Sequence, residues 1–321
     1  MEKKERNWER EERFYTNPKI FYGTVILVHF LWAVAVPLTK LGYEAFGMAG
    51  ENLFQLFTYA GLRLFFAGVI ALGFCAVRKQ KLLPEKAVFW RLLKLGFLMS
   101  VLQYVLLYIG TAYASGVVAS ILASSGAFFG ILFSSLVFRE DKMTVRKILG
   151  CVLGLCAVIV LNYQDIRVGF TVSIFGGLCV ALSQAAGTLG AVYLKVVSQG
   201  RDAIWVGGWQ SFLGGVVLIA AGLFGGGGLT LRGSFGDLWS TVLLLLSAGL
   251  ALILSNQLYK YNPLSKVVIF SLLLPVFGVL TSALLLGESL ASAPVVISLL
   301  LDCAGVGLVT VEKKKGEEER L

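Results

Sequence analysis

The sequence predicts an all-α membrane protein of ten transmembrane helices, arranged as two inverted five-helix repeats around a central cavity. Three observations lead there: apolar segments at close intervals, Lys and Arg concentrated in alternate connections, and an internal match separated by five segments. Of 321 residues, 57% are apolar and 15% charged, against about 25% charged in an ordinary soluble domain. Lipid is therefore the main solvent. It offers no partner to backbone N–H and C=O groups, so each crossing requires a helix of about 20 apolar residues.

Ten such segments are bounded by charged, Gly-rich or Pro-containing breaks. They run 21–38, 54–77, 88–110, 117–138, 143–161, 170–194, 203–224, 238–259, 265–286 and 294–311. Residues 1–19 hold no apolar stretch and read as a cytoplasmic tail without a cleaved signal, so span 1 directs insertion. Residues 20–161 form the first repeat, 162–311 the second, and 312–321 a cytoplasmic C-terminal tail. Both tails are solvated or interfacial, and the C-terminal lysines can contact anionic lipid.

Alternating the sides leaves Lys40, Arg167 and Arg232 on one face and Arg63 inside span 2; the other 24 of the 28 Lys and Arg fall on the opposite face. Positive loops stay inside, which puts both termini in the cytoplasm of a bacterial-type inner membrane. The charge of +9 thus marks topology, and no basic patch with interleaved aromatics calls for nucleic acid.

At an offset of 148, residues 102–140 align with 250–288 without a gap, and ten of the 39 pairs are identical, Tyr113/Tyr261, Phe129/Phe277, Gly130/Gly278 and Glu140/Glu288 among them. Five spans separate the copies, so the halves insert in opposite directions. The charges agree. REDKMTVRK after span 4 corresponds to GESLASAP after span 9, and the uncharged TAYASGVV before span 4 corresponds to LYKYNPLSKVV. An inverted repeat predicts this exchange, and secondary transporters recurrently use that architecture.

The chain resembles the EamA-type, ten-span branch of the drug/metabolite transporters. The resemblance rests on WAVAVPLTK with Trp32, Pro37 and Lys40, LRLFF with Arg63, IGTAYASGVVASIL, FRE ending in Glu140, and LPVFGVLTSALLLGE, and it covers about residues 20–311. It implies spans 1, 3, 4, 6, 8 and 9 around a cavity, no catalytic or ATPase function, and no cofactor. Members of that family export amino acids and other metabolites. Span 6 lacks the Trp often found there and offers Gln184 and Thr188 instead.

Polar side chains within lipid turn toward protein or an aqueous cavity. In span 3, Gln103, Tyr104, Tyr108 and Thr111 recur at helical spacing. Asn256 of span 8 aligns with Tyr108 through the repeat, beside Ser255 and Tyr259. Ser120 and Ser124 of span 4 and Ser271 of span 9 line a cavity or permit close packing, and Pro275 should loosen span 9 near its middle. His29, three residues from Trp32, is the sole histidine and the candidate for proton coupling, the alternative being a neutral structural bond. Arg63 and Asp302 lie at similar depths and are expected to form a structural ion pair. Lys40 attracts an anion or snorkels to the headgroups.

No metal or nucleophile set surrounds His29, and Gly225–Gly228, read as a flexible loop, lacks the Lys-Ser/Thr of a phosphate loop. The five cysteines lie within apolar spans and read as small core residues, and the GxxxG at Gly150 and Gly154 fits close packing within a monomer or between the protomers of a homodimer. With one cation inside a span, a neutral, zwitterionic or amphipathic small molecule is favoured as substrate over phosphates. The alternatives are a lipid-linked carrier flippase, a nucleotide-sugar-type exchanger and a membrane sensor that moves nothing.

Overall fold

The computed structural model describes residues 2–48, 52–113, 125–136, 144–161, 174–232, 235–286 and, between 293 and 308, all but 295, 299, 302 and 306. Their regular structure is entirely helical: α1 (Glu2–Thr16), α2 (Pro18–Ala45), α3 (Leu53–Val77), α4 (Lys86–Gly96), α5 (Gln103–Tyr113), α6 (Ser125–Leu136), α7 (Val145–Leu161), α8 (Ile174–Val197), α9 (Ala203–Phe224), α10 (Trp239–Tyr261), α11 (Leu264–Val268) and α12 (Leu274–Leu286). A widened π-helical turn over Phe97–Leu102 joins α4 to α5, and a tighter 3₁₀ stretch over Ile269–Leu273 joins α11 to α12. Seven helices are long and apolar enough to cross a bilayer, counting Lys86–Gly110 and Leu264–Leu285 each as one. The remaining predicted segments contain α6, α7 and the short helix Val296–Gly305.

Apolar side chains cover the outside. Phe66, Phe74, Leu223, Leu243, Leu246 and Leu250 are all exposed, an arrangement that suits lipid and not water. Two cysteines share that outer position: Cys156 and Cys303 are exposed, while Cys75, Cys151 and Cys179 are buried. Only three of the five are therefore core residues, against the expectation for all of them.

Packing inside lipid cannot draw on the hydrophobic effect, so it depends on close backbone approach. The most extensive helix pair, α3 with α9, shows how this is done. A Cβ on Gly68 would lie 2.5 Å from the Phe212 nitrogen and 2.8 Å from the Gly208 carbonyl oxygen. One on Gly215 would meet the Phe65 nitrogen and lie 2.8 Å from the Gly61 carbonyl oxygen. Between these glycines the rings of Phe65 and Phe212 meet with centroids 5.1 Å apart. Both helices start from an Asx cap: Asn52 Oδ1 accepts from Phe54 N at 3.0 Å, and Asp202 Oδ1 from Ile204 N at 2.7 Å.

Around this pair, α5 lies along α8 and α2 along α10; α2 also packs on α12, α8 on α6, α10 on α3, and α4 on α9. The glycines Gly150 and Gly154 pack within the chain, Gly154 against Leu272 and the Gly150 carbonyl against Gly305.

Three local features differ from the sequence reading. Span 1 does not stop at Leu38, because α2 continues through Pro37 and Lys40 to Ala45. The N-terminal segment is helical and docked: Tyr15 stacks on Tyr261 at 6.0 Å, the Tyr261 hydroxyl donates to Glu11 Oε2 at 3.0 Å, Glu11 lies 3.6 Å from Arg78, and Lys260 sits over Trp8. Burial, and after it the Glu11 carboxylate, raise the Tyr15 phenol above its ordinary range, so it stays neutral. Finally, the glycine run is an ordered turn. Gly227 N donates to the Gly222 carbonyl at 2.8 Å, Thr58 Oγ1 donates to the Gly227 carbonyl at 2.8 Å, and Gly226 adopts φ +80°, a conformation glycine reaches without a Cβ clash.

Candidate functional site

Spans 1, 2 and 3 bring an arginine and a set of aromatic hydroxyls together. Arg63 stands ten residues inside α3, about 15 Å along the helix from Leu53. Its guanidinium carbon lies 5.2 Å from the Trp32 ring centroid, and its Nε is buried without a hydrogen-bond partner. Tyr43, Tyr59 and Tyr108 all lie within reach of its charge. The Tyr43 and Tyr108 hydroxyls are hydrogen-bonded to each other, and Tyr59 Oη is 3.2 Å from Thr241 Oγ1 of α10. Gly42 is what lets Tyr59 come this close to α2, since a Cβ there would collide with the phenol oxygen. Among the described residues no carboxylate pairs with Arg63. Asp302, its expected partner, lies outside the described residues.

The polar face predicted on span 3 divides. Tyr104 and Tyr108 stay together with centroids 6.3 Å apart, and Tyr108 meets Phe57 of α3 at 6.2 Å. Gln103 turns instead to α8, where its carboxamide fills the space left by Gly187. The Thr111 side chain lies outside the described residues. On α8, Thr188 Oγ1 donates to the Gln184 carbonyl at 2.7 Å, and Gln184 Nε2 donates to Ser183 Oγ at 3.3 Å, with its Oε1 facing Gly126 of α6.

Asn256 is fully buried in α10 against Gly207, and neither of its amide atoms has a partner among the described residues. His29 is also buried; its Nδ1 lies 2.7 Å from the Val25 carbonyl of the same helix, and its ring centroid 6.4 Å from that of Phe270. A carbonyl only accepts, so Nδ1 carries the hydrogen and Nε2 keeps its lone pair. Ser271 is half-buried in the 3₁₀ stretch. Pro275 falls in the first turn of α12, where winding has just changed and a missing N–H costs little. Ser120 and Ser124 lie outside the described residues. Tyr43 and Tyr59 were not anticipated, since Tyr43 lies beyond the predicted end of span 1.

The EamA-like transporter family matches residues 19–163 and 172–311. The chain belongs to that family. As an EamA member it is a multi-pass integral membrane transporter of the drug/metabolite superfamily, and the family's members are transporters and not enzymes. Similar proteins include the uncharacterized transporter YvbV of Bacillus subtilis, 27% identical over 91% of this chain and 92% of its own length. YoaV of the same organism, also an uncharacterized transporter, is 22% identical over 78% and 86%. A solved crystal structure matches 89% of this EamA chain and 98% of its own with a TM-score of 0.69 at 15% identity, a likeness of fold alone.

Proposed function

We propose that this EamA protein is a secondary transporter exporting a small neutral, zwitterionic or amphipathic metabolite, such as an amino acid, by alternating access. Its ten spans form two inverted five-helix halves with both termini in the cytoplasm. One observation carries this reading: helix contacts recur in pairs when each span is exchanged for the one five places on. Span 3 on span 6 corresponds to span 1 on span 8, and span 4 on span 6 to span 1 on span 9. The seam between α3 and α9 obeys the same exchange residue by residue at an offset of 147, which carries Gly61 to Gly208, Phe65 to Phe212 and Gly68 to Gly215. Two halves built alike and opposed can rock between two equivalent arrangements.

The substrate path in this reading runs between the halves past Trp32, Tyr104, Tyr108, Gln184, Asn256 and Ser271. Outward movement is the direction that resemblance to exporting family members implies. Coupling falls to His29, whose Nε2 lone pair can take up a proton. Purified protein in liposomes should move solute without ATP, and an imposed pH gradient should drive it. Replacing His29 by Gln should remove the gradient dependence while leaving exchange intact. Unaltered gradient dependence in that variant would end the role of His29, and failure of the wild type across a broad metabolite panel would end the transport reading.

A further inference from the structure

We propose that Arg63, seated on Trp32 and ringed by Tyr43, Tyr59 and Tyr108, anchors the carboxylate of a substrate whose body is aromatic or otherwise apolar. This narrows the substrate class and rests on the transport reading above.

The guanidinium is incompletely partnered among the described residues. An arginine in mid-membrane is costly and ordinarily finds an anion, yet its described neighbours give it a π face and no acceptor. The corresponding position of the second half makes the contrast. Gln210, at the same offset of 147, has a partner at each amide atom: its Oε1 accepts from Ser100 Oγ at 2.9 Å, and its Nε2 donates to Ser211 Oγ at 2.7 Å. One half thus closes this position with neutral hydrogen bonds, and the other holds a charge whose planar fork matches a carboxylate.

Phenolic hydroxyls surround Arg63. When two phenols share one hydrogen bond, the accepting oxygen keeps its own proton to donate elsewhere. Tyr43, which accepts from Tyr108, therefore keeps a proton to donate, and the Tyr59–Thr241 pair keeps another, with both tyrosines within the field of the arginine. Donors with no nearby acid repel a free ammonium less well than they attract an anion, and a single cation neutralises one carboxylate but not a phosphate. The aromatic walls supply stacking surface for an apolar body.

The test uses the full chain in detergent and in liposomes, with two probe pairs differing only in the acid group: phenylacetate against phenylacetamide, and phenylalanine against phenylalaninamide. Thermal stabilisation should follow the carboxylate member and not its amide. Arg63→Lys, which keeps the charge but loses the fork, and Arg63→Gln should weaken that binding about 10- to 100-fold, the worth of a charge-assisted hydrogen bond. Tyr108→Phe, which leaves the charge in place, should weaken it several-fold. The inference is overturned if the amides stabilise as well as the acids, if no carboxylate stabilises the wild type, or if Arg63→Lys binds unchanged. It is also overturned if Arg63→Gln fails to fold and Asp302→Asn restores it with carboxylate binding intact, the signature of a structural ion pair. Carboxylate-dependent binding without flux would spare this site and overturn transport. Flux of uncharged solutes unaffected by Arg63→Gln would do the reverse.

Discussion

Asn256 shows what one residue can reveal. Its carboxamide is wholly enclosed and unpartnered among the described residues, and such a group costs about 1–3 kcal/mol of stability. Asn256→Leu, nearly equal in size, should therefore raise the melting temperature by several degrees while abolishing flux; a fall in both would mean that the amide is structural. Gly42→Ala should push Tyr59 away from α2 and lower ligand affinity several-fold without unfolding the chain, as ligand titration would show. At this scale the sequence was only partly informative. Intramembrane polarity singled out Asn256, Tyr108 and His29, because lipid makes every polar side chain conspicuous. The setting of Arg63 was hidden, since three helices assemble it and one contributor, Tyr43, follows a proline and a lysine that imitate a helix end.

Whole elements were more legible, for apolar length alone marks a crossing helix. Span 7 matches its predicted limits, 203–224, in full. What composition could not show was winding, the wide turn at Phe97–Leu102 and the tight one at Ile269–Leu273. It also concealed α1, whose charged residues resemble a solvated tail until Glu11, Tyr15 and Trp8 find Arg78, Tyr261 and Lys260. Deleting residues 1–16 should leave the bundle folded but make a cysteine at position 261 label several times faster. Equal labelling would show that α1 does not cover it. The α3–α9 contact gives a sharper test. Gly68→Val must drive its branches into the Phe212 backbone and should cost about 1–3 kcal/mol, read as a lower melting temperature. Gly73→Ala, with nothing within 4 Å, should be nearly neutral.

At the scale of the molecule, the proposed ten-span arrangement of opposed halves requires both ends of the chain on one side. Impermeant labelling of single cysteines at positions 3 and 318 should modify both from the cytoplasmic side alone, and labelling from opposite sides would refute the arrangement. The proposed halves differ in chemistry where their seams correspond, as Arg63 and Gln210 illustrate, and the internal match could show only the likeness. The glycine seam has a further consequence. At Gly61, Gly68 and Gly215 the opposing backbone leaves no room for even one added methyl, so drift there is barred, whereas the tyrosines around Arg63 lie outside that seam. Descendants of this chain could acquire new cargo while keeping the same spine.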